Sequence, residues 1–133
     1  MDMKFHTAVL HAGKSEMEKY GSTLPPVYQS SAFEQRNAEG LAKIFENKAP
    51  GYCYTRVGNP TVTAFEARIT KLEEGVASVA FSSGMAAITH AFLNILQSGD
   101  EIVTSASLYG GTIDLFRDLE AFGIHTVFVE TNN

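Results

Sequence analysis

The stretch Val76-Ala77-Ser78-Val79-Ala80-Phe81-Ser82-Ser83-Gly84-Met85-Ala86-Ala87-Ile88 decides how this chain is read. Val76 to Phe81 is a short apolar run, the mark of a buried strand. Ser82-Ser83-Gly84 is a small-residue turn, and Met85, Ile88, Ala91, Phe92, Ile95 and Leu96 then recur at helical spacing. Upstream, Asn59-Pro60 is a helix start, with Asn as N-cap and Pro at the first helical position. Val62, Phe65, Ile69 and Leu72 give that helix one apolar face, and Gly75 is its natural stop. Downstream, Ser98-Gly99-Asp100 closes the second helix, and Glu101 to Ser105 reads as a strand. Gly111 to Phe122 reads as a third helix through Ile113, Leu115, Phe116 and Leu119; Gly123 breaks it, and Ile124 to Val129 reads as another strand.

The expected order is helix–strand–helix–strand–helix–strand. Such alternation predicts an α/β layer fold with largely parallel pairing. Three strands leave both sheet edges open, and none of the remaining sequence covers the last one. The segment is therefore expected to be the front part of a larger α/β protein, or to be completed by another chain.

Residues 1–50 differ in character from the rest. Gly13, Gly21, Pro25, Pro26, Gly40, Pro50 and Gly51 punctuate them, and polar residues are dense. Val27 to Phe33 reads as extended, and Asn37 to Glu46 as a short helix with Leu41, Ile44 and Phe45 on one side. With so little core of its own, the segment reads as an arm that packs on something else, or as a partly ordered tail.

Composition sets the outer limits. The chain has 133 residues, 44% of them hydrophobic and 19% charged, which is a globular balance. Ten basic against fifteen acidic residues leave a formal charge of −5. An acidic chain without a Lys/Arg cluster argues against nucleic acid or an anionic membrane as its partner. The single cysteine, Cys53, excludes an intrachain disulfide and suits a reducing, cytoplasmic setting. The opening residues have no apolar core of the secretory kind, and no stretch has the roughly 20 apolar residues that span a bilayer.

Three short constellations can carry chemistry. Phe81-Ser82-Ser83-Gly84-Met85-Ala86 runs from strand to turn to helix. Free N–H groups and the dipole at a helix N-terminus favour an anion such as a phosphate, although the same pattern also serves as a plain tight connection. Tyr52-Cys53-Tyr54-Thr55-Arg56 precedes Val57-Gly58-Asn59-Pro60-Thr61, placing an arginine and two tyrosines in a Gly/Pro-bounded loop. Arginine recognises phosphate in bidentate fashion, while the plain alternative is a surface arginine beside packing tyrosines. Leu108-Tyr109-Gly110-Gly111-Thr112 follows a strand and precedes a helix, so it falls at the same carboxyl end of the sheet as Ser82–Met85. A tyrosine there can stack on a flat ligand or move a proton; alternatively it is an exposed side chain on a glycine turn. Together the three point to a phosphate-bearing aromatic cofactor. Gly-x-Gly-x-x-Gly and Gly-Lys-Ser/Thr motifs are absent, and His6, His11, His90 and His125 lack metal-site spacing.

These blocks resemble the N-terminal part of the Cys/Met-metabolism family of pyridoxal-phosphate enzymes. Leu24-Pro25-Pro26-Val27-Tyr28-Gln29-Ser30-Ser31 resembles the family's arm, and Tyr54-Thr55-Arg56 with Asn59-Pro60-Thr61 its YSR/YTR–NPT block. Ser82-Ser83-Gly84-Met85-Ala86-Ala87-Ile88 and Leu108-Tyr109-Gly110-Gly111-Thr112 resemble two further blocks in the right order. The resemblance implies an aspartate aminotransferase-like, fold type I protein with a mostly parallel sheet. Residues 1–58 would be the arm for dimer contact, and 59–133 the incomplete start of the cofactor-binding large domain. Gly84 and Met85 would give N–H groups to the phosphate of pyridoxal 5′-phosphate, with Ser83 adjacent. Tyr109 would stack on the pyridine ring and act as an acid/base group. Tyr54 and Arg56 would reach the neighbouring subunit's phosphate, so Tyr109 and Tyr54 are the expected catalytic residues, and no metal is implied. The expected assembly is a homotetramer built as a dimer of dimers.

Within that family the segment looks most like O-acetylhomoserine sulfhydrylase, through its Asp114-Leu115-Phe116 continuation and the Leu41–Pro50 lead-in. Methionine γ-lyase-like sequences carry a cysteine where Gly111 stands. The implied reaction is γ-replacement of acetate by sulfide or a thiol, giving homocysteine or methionine. Methionine γ-lyase and cystathionine γ-synthase or lyase are the alternatives, as is a non-catalytic fragment serving only for dimerisation. The family's Schiff-base lysine lies downstream in a Ser/Thr-x-x-Lys block, and none of Lys4, Lys14, Lys19, Lys43, Lys48 or Lys71 has that setting. The 133 residues alone are therefore expected to be inactive unless a separate chain supplies the rest.

Overall fold

In the computed structural model, Asn59 caps a helix as its sequence promises: its side chain accepts from Thr61 N, and Pro60 holds the first helical position. The structure describes residues 4–13 and 20–131; Lys14 and Lys19, and the outer ends of the segments expected at 1–58 and 59–133, lie outside the described residues. Five α-helices are described: α1 (Phe5–His11), α2 (Ala38–Phe45), α3 (Pro60–Leu72), α4 (Gly84–Leu93) and α5 (Gly110–Asp118). Two strands, β1 (Glu101–Ser105) and β2 (His125–Val129), and a 3-10 turn at Leu119–Phe122 complete them. The chain divides into two units, Met1–Ala80 and Phe81–Asn133.

In the first unit, α1 docks on α3 through small residues. Ala8 and Ala12 are buried on one side and Ala64 on the other. Gly13, at φ +73°, turns the chain so tightly that a β-carbon there would lie 2.2 Å from the Ala64 carbonyl oxygen. Arg68 Nε donates to the Ala12 carbonyl at 2.9 Å and fastens the end of α1. The sequence gives no sign of α1, because it is short, has no side-chain cap and buries only Ala8. The face of α3 that packs is also not the expected one. Val62 and Phe65 stay 40% and 56% exposed, because the apolar periodicity marks a face that nothing in this unit covers. The helix stops at Leu72, and the left-handed residue beyond it is Glu74 rather than Gly75.

The segment expected to be extended, Val27 to Phe33, forms no strand and makes one antiparallel bridge to the loop after Pro50. Phe33 N donates to the Cys53 carbonyl, Thr55 N donates to the Ser31 carbonyl, and Ala32 and Tyr54 form one bridge. The short helix at 37–46 forms as α2, with Asn37 accepting from Gly40 N at 2.8 Å.

The second unit holds the sheet. β1 and β2 pair in parallel, in the register Glu101 to His125 through Ser105 to Val129, with α5 as their crossover. Ile102, Phe116, Leu119 and Ile124 form its core, joined by Phe92, Leu96, Leu108, Leu115 and Phe128. Phe116 is 1% exposed and meets Phe92 edge to face at 4.8 Å. Burial of such a side chain stabilises by roughly 2–3 kcal/mol. Gly123, at φ +77°, closes the turn into β2, where a β-carbon would strike the Ser98 hydroxyl at 2.4 Å.

The expected first strand is corrected. Val76–Phe81 forms no strand: among the described residues no other backbone pairs with it, and Val76 and Val79 are exposed. A strand is a pairing rather than a property of one segment, and its composition cannot supply the neighbour. Of the stripe expected on the second helix, Phe92 reaches the core from α4; Ile95 and Leu96 lie beyond its end at Leu93, where Leu96 packs on the core and Ile95 is 73% exposed.

Candidate functional site

Two helix starts come together in the second unit. Ser83, in extended conformation, caps α4: its hydroxyl oxygen accepts from Ala86 N at 3.1 Å. That bond leaves the hydroxyl proton free to donate elsewhere. The N–H groups of Gly84 and Met85 precede the first helical acceptor and have no hydrogen-bond partner among the described residues. A β-carbon at Gly84 would meet nothing within 4 Å, so the space in front of this turn is open. Two unpaired N–H groups, a hydroxyl and the positive end of a helix dipole suit a phosphate.

Tyr109 stands at the N-cap of α5, where Thr112 N donates to its carbonyl at 2.9 Å. Its side chain is exposed. The ring edge passes over Gly111, and Met85 Sδ flanks the same glycine. The structure thus brings Ser83, Gly84, Met85 and Tyr109 into one neighbourhood, as their shared position after consecutive elements suggests. An exposed aromatic ring beside an anion-binding turn is a surface for a flat, phosphate-bearing ligand.

Tyr54 and Arg56 belong to the first unit. Val57 N and Gly58 N both donate to the Tyr54 carbonyl, closing a turn that projects Arg56 outward. The guanidinium carbon lies 5.6 Å from the centre of the Tyr54 ring, a cation–π distance. Both side chains are exposed and available to a ligand.

Behind this loop sits a residue whose full role the sequence does not reveal. Asn59 is 3% exposed. Its amide nitrogen donates to the Tyr28 carbonyl and to Thr55 Oγ1, each at 3.0 Å, while its oxygen caps α3. Thr55 Oγ1 in turn donates to the Ser30 carbonyl, and Tyr28 N donates to Thr61 Oγ1 at 2.8 Å. One buried amide therefore joins the segment around Tyr28, the Tyr54–Arg56 loop and the start of α3. The Asn-Pro pair announces the cap but not the other two bonds, which depend on tertiary packing.

Among the described residues no cluster of His, Cys, Asp or Glu is arranged to hold a metal ion. None of the helices searched is long and apolar enough to cross a membrane. Cys53 is buried beside the bridge between residues 32 and 54. The clearest electrostatic perturbation is remote from these groups. Glu120 accepts from Thr126 N at 2.8 Å and pairs with His125 at 2.9 Å, which holds its carboxyl below the ordinary range.

A family model for Cys/Met metabolism PLP-dependent enzymes matches residues 6–133. An L-methionine gamma-lyase of Fusobacterium nucleatum subsp. polymorphum is 44% identical over 96% of this chain and 32% of its own length. An O-acetyl-L-homoserine sulfhydrylase of Corynebacterium glutamicum is 48% identical over 95% of this chain and 29% of its own length. A solved structure from Campylobacter jejuni, described as an O-acetylhomoserine (thiol)-lyase with N′-pyridoxyl-lysine-5′-monophosphate, superposes with a TM-score of 0.88 at 30% identity. That match covers 98% of this chain and 32% of that one. The chain therefore spans about a third of the length of the curated relatives it matches. Its fold is the N-terminal part of a fold type I, pyridoxal-phosphate-dependent enzyme. With the family match running through both helix starts and the Tyr54–Arg56 loop, the chain belongs to the Cys/Met metabolism PLP-dependent enzymes.

Proposed function

We propose that this chain is the N-terminal segment of an O-acetylhomoserine sulfhydrylase, which replaces the γ-acetate of its substrate by sulfide or a thiol to give homocysteine or methionine. The observation that carries the reading is the joint placement of the unpaired Gly84 and Met85 N–H groups, the Ser83 hydroxyl and the Tyr109 ring. Those groups fit pyridoxal 5′-phosphate: the two N–H groups and Ser83 Oγ would hold its phosphate, and the exposed Tyr109 ring would stack on its ring. Bound there, the cofactor supplies the electron sink that γ-replacement needs. Tyr109 Oη holds and moves the proton at the departing γ-substituent. Arg56 and Tyr54 serve the phosphate of the neighbouring subunit, with Tyr54 Oη as a second proton-bearing group.

In this reading residues 1–58 are the arm that clasps a partner, and 59–133 begin the large domain of a cytoplasmic dimer of dimers. The Schiff-base lysine comes from the remainder of the protein or from a separate chain, and the segment alone is inactive. Gly111, where methionine γ-lyase-like sequences carry cysteine, favours the sulfhydrylase. The 44% identity to a methionine gamma-lyase supports elimination as the second reading. The test is a paired assay on the complete enzyme. Homocysteine formation from O-acetylhomoserine and sulfide is expected to outrun release of 2-oxobutyrate from methionine; the reverse order would assign the lyase.

A further inference from the structure

The turn that carries the Gly84 and Met85 N–H groups is held from behind by α4, which Ser83 caps. In front of it the chain runs through Val76–Ser82. There Ala80 N is the one backbone N–H with a hydrogen-bond partner among the described residues. That partner is a side chain of α3: Glu66 Oε1, half-buried, accepts from Ala80 N at 2.8 Å. One helical turn on, Thr70 Oγ1 donates to the Glu66 carbonyl and lies 2.8 Å from Ser78 Oγ. Glu66 and Thr70, four residues apart, thus share one face of α3 and fasten alternate residues of the segment, Ala80 and Ser78. Among the described residues Glu66 forms no ion pair, so what it supplies is an acceptor. The next residue, Phe81, packs its ring on His90 of α4 with centroids 4.7 Å apart. The peptide between Ala80 and Phe81 is therefore gripped on both sides just before the turn.

We infer that Glu66 is a positioning residue for the phosphate turn: by fixing the backbone at Ala80, three residues before Ser83, it sets how the chain enters α4 and where the Gly84 and Met85 N–H groups point. This rests on the reading that gives those two groups the cofactor phosphate. Hydrogen bonds weaken steeply as their angle opens. A turn that is not held must also be ordered when the phosphate arrives, and that cost is taken from the affinity. Glutamine at 66 keeps an acceptor at the same reach. Aspartate keeps the charge but withdraws the oxygen by about 1.5 Å, one carbon–carbon bond. The pair therefore separates the bond to Ala80 N from the charge that makes it.

The experiment titrates the complete, cofactor-free enzyme with pyridoxal 5′-phosphate and with pyridoxal, which has the same ring and no phosphate. The ratio of the two dissociation constants isolates the phosphate from everything else that binds the ring. Glu66→Ala should cut the preference for the phosphorylated ligand about tenfold, the loss of one hydrogen bond to a charged group at the low end of its range. Pyridoxal should bind it as it binds wild type. Glu66→Gln should keep the wild-type ratio, and Glu66→Asp should fall with alanine. Where alanine fails to fold, aspartate against glutamine decides alone, because Thr70 and Ser78 still fasten the segment in both. Gly84→Pro, which deletes one of the two N–H groups, runs beside them as the reference. A wild-type ratio in Glu66→Ala and Glu66→Asp beside a lowered one in Gly84→Pro would overturn the inference. Equal weakening of both ligands, or a glutamine variant as poor as aspartate, would do the same. A wild-type ratio in Gly84→Pro would instead withdraw the phosphate from this turn, and the inference with it.

Discussion

Replacing Asn59 by alanine removes three bonds at once from a side chain that is 3% exposed. The Tyr28 carbonyl and Thr55 Oγ1 lose a donor, and Thr61 N loses its capping acceptor. Each such bond contributes about 1 kcal/mol net, and loss of an Asn cap alone costs about 1 kcal/mol. Tyr28 and Thr55 are exposed, so water re-pairs them and the full penalty for stranded polar groups does not apply. The sum is about 3 kcal/mol, roughly a hundredfold in the unfolding equilibrium. With a urea slope of about 2 kcal/mol per molar, the midpoint falls by about 1.5 M. Asn59→Asp keeps the capping oxygen and loses only the two donor bonds, so it should lie between alanine and wild type. Urea unfolding with the slope held constant measures both variants, and amide exchange at Thr55 and Thr61 localises the change. A shift for Asn59→Ala below about 0.5 kcal/mol, or equal losses for aspartate and alanine, would refute the hub argument.

Other expectations follow from single contacts. Gly13→Ala meets both a left-handed φ of +73° and a β-carbon 2.2 Å from the Ala64 carbonyl. It should cost about 2–4 kcal/mol and expose the α1 amides to exchange, and a neutral result would discredit the docking of α1 on α3. Glu120 has a folded pKa below its ordinary 4.5, first through the bond from Thr126 N and then through His125. A carboxylate depressed on folding stabilises fully above its unfolded pKa, and loses that contribution as pH falls through the folded value. Glu120→Gln should therefore lower the urea midpoint at neutral pH and flatten its decline below pH 4.5; an unchanged acid limb would show the pairing to be energetically idle. Arg56→Ala should leave stability within about 0.5 kcal/mol, since the group is exposed and only grazes the Tyr54 ring. It should weaken cofactor retention, and an unchanged cofactor dissociation constant would remove Arg56 from phosphate binding.

What the sequence announced and what it hid follow one physical division. Local signals were legible: Asn59-Pro60 starts α3, Ser83 caps α4, and β1 falls on Glu101–Ser105 as its composition suggests. The second unit buries Phe116 and Leu119 from the expected stripe, because there the apolar periodicity and its partner strands lie in the same stretch. Where the partner is not supplied, periodicity misleads. Val62 and Phe65 of α3 stay open, and Val76–Phe81 remains unpaired. Small-residue docking, as between Ala8, Gly13 and Ala64, carries no apolar pattern and so escaped notice. At the site, the types of the key residues were readable from Ser83 to Tyr109. The fit of the Tyr109 ring over Gly111 and the second and third bonds of Asn59 were not, since both are through-space facts.

Whether the first N–H groups of α4 hold the cofactor phosphate is tested most directly by Gly84→Pro, which brings little collateral change. Proline suits the first helical position, and Ser83, with ψ at 158°, already has the extended backbone a following proline demands. The substitution deletes one N–H that has no partner within the described residues. A hydrogen bond to a charged group contributes about 1.5–3 kcal/mol, so pyridoxal 5′-phosphate titrated into the cofactor-free enzyme should bind about 10- to 100-fold more weakly, with the urea midpoint unchanged. Wild-type affinity in a properly folded Gly84→Pro protein would contradict the assignment of this helix start as the phosphate site.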